Sequence, residues 1–84
     1  MRHGTMSVEL FAPRGEDRQQ PHTQDELYVV LTGSSRFVRG DERVTCVAGD
    51  VLFAPAGMPH HFEGMSGDFH AWVVFWGPAG GERS

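Results

Sequence analysis

At 84 residues the chain has room for one domain with a modest core, and its 11 glycines and 5 prolines call for many turns between short strands. A net charge of −4 argues against nucleic acid as a partner, and no apolar run approaches the ~18 residues of a membrane span. The start, MRHGTMSVEL, lacks an apolar export signal, and the single cysteine, Cys46, cannot close an internal disulfide, so the chain is expected in the reducing cytoplasm.

In chain order, MSVELFAP alternates as a first strand and is closed by Pro13. RGEDRQQ, residues 14–20, is polar and loop-like. Glu26–Gly33, ELYVVLTG, is a strand ending in glycine. SRFVRGDERVTCVAGD is a hairpin turning at Gly40-Asp41. DVLFAP is the next strand, stopped by Pro55, and HHFEG is a short strand leading to the polar turn MSGD. FHAWVVFWGP, Phe69 to Pro78, is the last strand. Residues 1–5 and 79–84 are expected to fray. No segment has a helical period. Short strands with turns at intervals of about ten residues make an all-β domain, a sandwich, jelly roll or small barrel.

Within ELYVVL, Glu26, Tyr28 and Val30 face one way and Leu27, Val29 and Leu31 the other. Both sets are mostly apolar, so both faces need cover. A second copy of the protein, making a homodimer, is the simplest cover for the outer face, and the competing reading is ordinary two-sheet packing within one chain.

Upstream, Gln20, His22, Gln24 and Glu26 share strand parity with Tyr28. An inward glutamate is costly unless it is paired, protonated or bound to a metal. A neighbouring His22, with His60 from another strand, would give two imidazoles and one carboxylate, a set suited to iron, manganese, nickel or zinc. The competing reading is an ion pair on a solvated face.

The spacing resembles that of the cupin family. The second cupin motif is matched by Gly49, DVLFA, Pro55-Ala56-Gly57, MP, His60, HFE and Gly64, with glycine where asparagine is usual. The latter half of the first motif is matched by His22, TQD, Glu26, LYVVLT and Gly33. Gln20 stands where the first histidine of that motif belongs, and Gly15 lies one residue too close to it. The resemblance covers residues 15–75 and implies a double-stranded β-helix, a jelly-roll barrel, as a single domain over residues 1–84. The N-terminal part is short for a cupin, so a strand could be supplied by a partner subunit.

By this resemblance His22, Glu26 and His60 hold a divalent transition metal, with Gln20 the fourth ligand or Gln24 or water in its place. Tyr28, Gln24, Phe62 and Phe37 line the pocket. His61 has the opposite parity and faces outward, while His3 and His70 match no motif position. One carboxylate on a divalent ion leaves a charge of about +1, which favours a small anionic or oxygen-rich organic molecule. The resemblance implies a metal-dependent enzyme of dioxygenase, isomerase, decarboxylase or lyase type, with Tyr28 the nearby side chain able to move a proton. The alternatives are a non-catalytic module that binds or senses a small ligand, or a dimer whose metal is structural.

Overall fold

The computed structural model describes residues 1–13 and 23–83. Among these residues eight strands form in chain order: β1 (Arg2–His3), β2 (Met6–Phe11), β3 (Asp25–Thr32), β4 (Ser34–Arg39), β5 (Glu42–Val47), β6 (Val51–Ala54), β7 (His60–Glu63) and β8 (His70–Trp76). They make a five-stranded sheet, ordered β1-β2-β8-β3-β6, and a three-stranded sheet, ordered β5-β4-β7. Every pairing is antiparallel. No helix among the described residues is long and apolar enough to cross a membrane.

Period-two patterning explains the assembly. In β3, Glu26, Tyr28 and Val30 are buried, while Leu27 and Val29 are half-buried and Leu31 is exposed. In β7, His60 and Phe62 are buried and their neighbours His61 and Glu63 are half-buried. The inner faces of the two sheets meet in one core, with Tyr28, Val30, Phe62, Phe69 and Ala71 at its centre. The β4–β5 hairpin turns at Gly40-Asp41 as the sequence requires, with Arg39 opposite Glu42. Cys46 is a buried strand residue whose Sγ lies 3.5 Å from the Ser35 carbonyl. Burial, and then the nearby Asp50 carboxylate, push its thiol above the usual range.

Two features depart from the sequence expectation. Residues 1–5, expected to fray, carry β1, which pairs Arg2 with Ser7 and His3 with Met6. The Val8 amide donates to the Met1 carbonyl at 2.8 Å, so the start of the chain is an edge strand of the larger sheet. The tail is likewise fastened. The Gly80 amide donates to the Thr23 carbonyl at 2.7 Å, and the Glu82 amide to Asp25 Oδ2 at 2.8 Å. Glycine-rich composition suggests freedom there, but its backbone donors find acceptors at Thr23, just before β3, and at Asp25, its first residue.

Asp25 is thus a staple rather than an ordinary turn residue. Its Oδ1 accepts from the Ala56 amide at 2.9 Å while Oδ2 takes Glu82, joining β3 to the Pro55–Gly57 turn and to the tail. These two backbone donors, Glu82 first and then Ala56, hold its carboxyl below the ordinary 3.8. A depressed folded-state value stabilises the protein at pH above the ordinary aspartate range, and that contribution is lost as pH falls through the folded value. Asp25→Asn should therefore lower the melting temperature at neutral pH and flatten its decline below pH 3.8, read by thermal melts along a pH series. An unchanged acid limb would remove Asp25 from this role.

Candidate metal centre

The Pro55–Pro59 turn aims the central histidine. The Met58 amide donates to the Pro55 carbonyl at 3.1 Å, with Gly57 at φ +76°, the positive φ that a type II turn requires at its third position. The chain then enters β7, where His60 lies opposite Arg39 and Phe62 opposite Phe37. The imidazole Nδ1 sits 2.9 Å from the Met58 carbonyl, which can only accept. Nδ1 therefore carries hydrogen, and Nε2 points into the barrel.

Glu26 comes from β3, across the barrel. Its Oε1 lies 2.5 Å from His60 Nε2, with both side chains almost fully buried. Tyr28, two residues on and on the same face, donates its hydroxyl to Oε1 at 2.7 Å, and that hydroxyl oxygen is 3.2 Å from Nε2. A glutamate, an imidazole and a phenol thus converge in the interior. Among the described residues, no three of His, Cys, Asp and Glu gather closely enough to hold an ion. Of the expected ligands, His22 and Gln20 lie outside the described residues.

Aromatic rings wall the centre. Tyr28 stacks edge-on to Phe62 at 4.9 Å between centroids and lies 5.9 Å from Phe37, and Phe37 is 6.1 Å from the His60 ring. Phe11 joins them, 5.6 Å from Tyr28 and 5.4 Å from Phe62. The sequence reading missed Phe11. Its signal was its place at the end of the first strand, where β2 pairs it with the inward Ala71. Gln24 sends its amide nitrogen to the carbonyls of Thr5 (2.9 Å) and Gly77 (3.0 Å), so that end of the side chain ties the β1–β2 turn to the end of β8. The other histidines stand apart. His61 Nε2 is 3.7 Å from Glu63 Oε2, His70 Nδ1 is 2.7 Å from the Asp68 carbonyl, and His3 is exposed.

A family model described as the cupin domain matches residues 7–76. The chain belongs to the cupin family. It is 39% identical over 77 residues to an uncharacterised protein of Streptomyces coelicolor, a match that covers 89% of this chain and 73% of that one. It is 37% identical over 68 residues to acireductone dioxygenase 1 of Pectobacterium atrosepticum, covering 75% of this cupin and 39% of the dioxygenase. The cupin therefore spans well under half the length of that enzyme. Among solved structures, a cupin superfamily protein of Desulfitobacterium hafniense superposes with a TM-score of 0.75 at 25% identity, over 90% of this chain and 71% of that one. The all-strand architecture, with two antiparallel sheets closing on one core, is the jelly roll of this family.

Proposed function

We propose that this cupin holds a divalent transition metal, namely iron, manganese, nickel or zinc, through Glu26, His60 and His22, with Gln20 as a fourth donor. It would act as a metal-dependent enzyme of dioxygenase type on a small oxygen-rich organic anion. The observation that carries this reading is the buried meeting of Glu26 Oε1 and His60 Nε2 at 2.5 Å, contributed by opposite sheets. With Nδ1 turned to the Met58 carbonyl, His60 directs Nε2 at a Glu26 carboxyl oxygen in a buried interior. That donor set fits a cation. The match to a dioxygenase over 68 residues supports the reaction class.

When bound, the ion supplies Lewis acidity toward an oxygen-rich ligand and, if iron, access to dioxygen chemistry. The chain's own residues prepare the site for it. The Met58 carbonyl fixes the His60 tautomer, and the Tyr28 hydroxyl holds the Glu26 carboxylate in one orientation. Phe11, Phe37 and Phe62 exclude water and favour a ligand that is partly apolar.

Elemental analysis of protein purified without a metal-binding tag, followed by dioxygen uptake with a panel of small enolic and phenolic acids, tests this proposal. Stoichiometric iron, manganese or nickel with substrate-dependent uptake supports it. Metal without turnover would favour the binding-module reading, and no metal after reconstitution would overturn the metal site.

We further propose that two copies pair through the outer face of the five-stranded sheet. Cross-strand partners build two apolar rows there, Val8–Val74–Leu27–Phe53 and Leu10–Trp72–Val29–Val51. Leu10 (55%), Val51 (62%), Phe53 (44%) and Trp72 (43%) stay open to solvent, so no element among the described residues covers them. Trp72→Glu should convert the wild-type dimer to a monomer in light scattering coupled to size exclusion. A wild type that is already monomeric at micromolar concentration would sink the proposal.

A further inference from the structure

The geometry points to a binding site for a small carboxylate with an apolar body, seated in the cavity between the β4–β5 hairpin and β6 and anchored by Arg39. The site goes beyond the metal reading, since neither Glu26 nor His60 is among the described residues that line the cavity.

Placement is the first argument. β5 is an edge strand of the small sheet and β6 of the large one, and a cavity of about 170 Å³ lies between them, walled by Phe37, Val44, Leu52 and Phe53. Phe37 stands opposite Val44 in the hairpin, and Leu52 opposite Tyr28 of β3, so these walls continue the core. Arg39 shares strand parity with the buried Ser35 and Phe37, so its side chain leaves the strand on the core side, where an apolar residue would be the ordinary choice. Its Nη1 donates to the Phe53 carbonyl at 2.9 Å, from one sheet to the other. That bond fixes the guanidinium at the rim of the cavity before any ligand arrives.

Charge is the second argument. The other arm of the fork, Nη2, donates to Glu42 Oε1 at 2.9 Å. Glu42 lies directly opposite Arg39 across the hairpin turn, with its side chain 68% exposed. An ion pair this open contributes little, so a carboxylate from solution can replace it at small cost. Glu42 also shows that a carboxylate oxygen fits at this edge of the guanidinium. On exchange, Nη1 stays on the Phe53 carbonyl, Nη2 turns to the ligand, and Glu42 swings into water.

Size is the third argument. A dry apolar cavity of about 150 Å³ admits a benzene ring. The ligand body is therefore a single ring or a short branched chain, packed on Phe37, Val44 and Leu52 with its carboxylate at Arg39. The Phe37 ring also neighbours the His60 ring, at 6.1 Å, so it stands between this ligand and the candidate metal centre.

Benzoate is the probe, with benzamide as its uncharged counterpart, titrated into the protein as purified and followed by amide-resolved NMR. Benzoate should bind with a dissociation constant on the order of 1 mM or tighter, with shifts confined to Phe37, Arg39, Glu42, Val44, Leu52 and Phe53. Benzamide should bind at least about tenfold more weakly. Arg39→Gln should weaken benzoate by about 10- to 100-fold. Glu42→Gln, which leaves Arg39 and both sheets in place, should tighten it by about two- to fivefold, because the competing carboxylate is gone. Benzoate that binds Arg39→Gln as well as the wild type, benzamide that matches benzoate, or a Glu42→Gln that gains nothing would each overturn the site. So would the absence of binding at tens of millimolar. Shifts centred on Glu26 and His60 would overturn it too, and would leave the metal reading standing.

Discussion

Replacing His60 with alanine should remove the bound metal and cost about 3–5 kcal/mol of stability, the scale on which truncating a large buried ring to alanine destabilises a core. The imidazole is 2% exposed, and both of its nitrogens are engaged, Nδ1 with the Met58 carbonyl and Nε2 with Glu26 and Tyr28. Alanine leaves a cavity among aromatic rings and takes from the buried Glu26 carboxylate an imidazole 2.5 Å away. In a domain of this size the stability loss should appear as a fall in melting temperature of more than about 10 °C. His61→Ala is the natural control. That ring has the opposite parity, and its contact with Glu63 is long, at 3.7 Å and at the surface, so its removal should change stability by no more than about 0.5 kcal/mol. Metal content and melting temperature of His60→Ala that match those of His61→Ala would dissolve the centre as drawn here.

The contrast between these two adjacent histidines shows what the sequence can carry. Strand parity after a Pro/Gly turn is a local property, and it sufficed to send His60 inward and His61 toward the edge of the barrel. The same rule placed Glu26 and Tyr28 on one inner face. What it could not supply was distance between strands far apart in sequence. The direct contact of the Tyr28 hydroxyl and the Glu26 carboxyl with His60 depends on how the two sheets close, which no periodicity encodes. Phe11 escaped for the same reason, since its approach to Tyr28 runs through its pairing with Ala71, 60 residues later. At the ends of the chain composition speaks of turns and says nothing of hydrogen-bond partners. A glycine-rich tail looks free until Asp25 and Thr23 are seen to accept its amides. Gln20 and His22 fall outside the described residues, so their part in the centre is carried by the proposal above.

Gly33→Ala should be about as damaging as a core truncation, although no side chain is removed. Gly33 is the single residue between β3 and β4, where the chain leaves one sheet for the other, just after a register shift between Val30 and Thr32. Its φ is +81°, a region that costs an L-residue about 1–2 kcal/mol. A Cβ there would also stand 2.8 Å from the Phe69 Cα and 2.9 Å from Asp68 Oδ1, and closer still to Ser66 Oγ. The serine and aspartate side chains can swing aside. Phe69 cannot, because its ring is 1% exposed in the core and its amide donates to the Ser66 carbonyl. The Ser66 turn is in turn sewn to β4, with its amide on the Ser34 carbonyl and its hydroxyl accepting from the Ser34 amide, each at 2.9 Å. Overpacking of this kind adds about 1–3 kcal/mol to the conformational strain. Gly49→Ala separates the two costs, because Gly49 has φ +94° with nothing within 4 Å of the added carbon. Chemical denaturation should show Gly49→Ala losing the strain alone and Gly33→Ala losing at least about 1 kcal/mol more. Equal losses would mean that the Phe69 backbone yields. In that case the glycine closing the first motif would be required for its φ alone, and not for the close approach of the 66–69 turn to the sheet crossing.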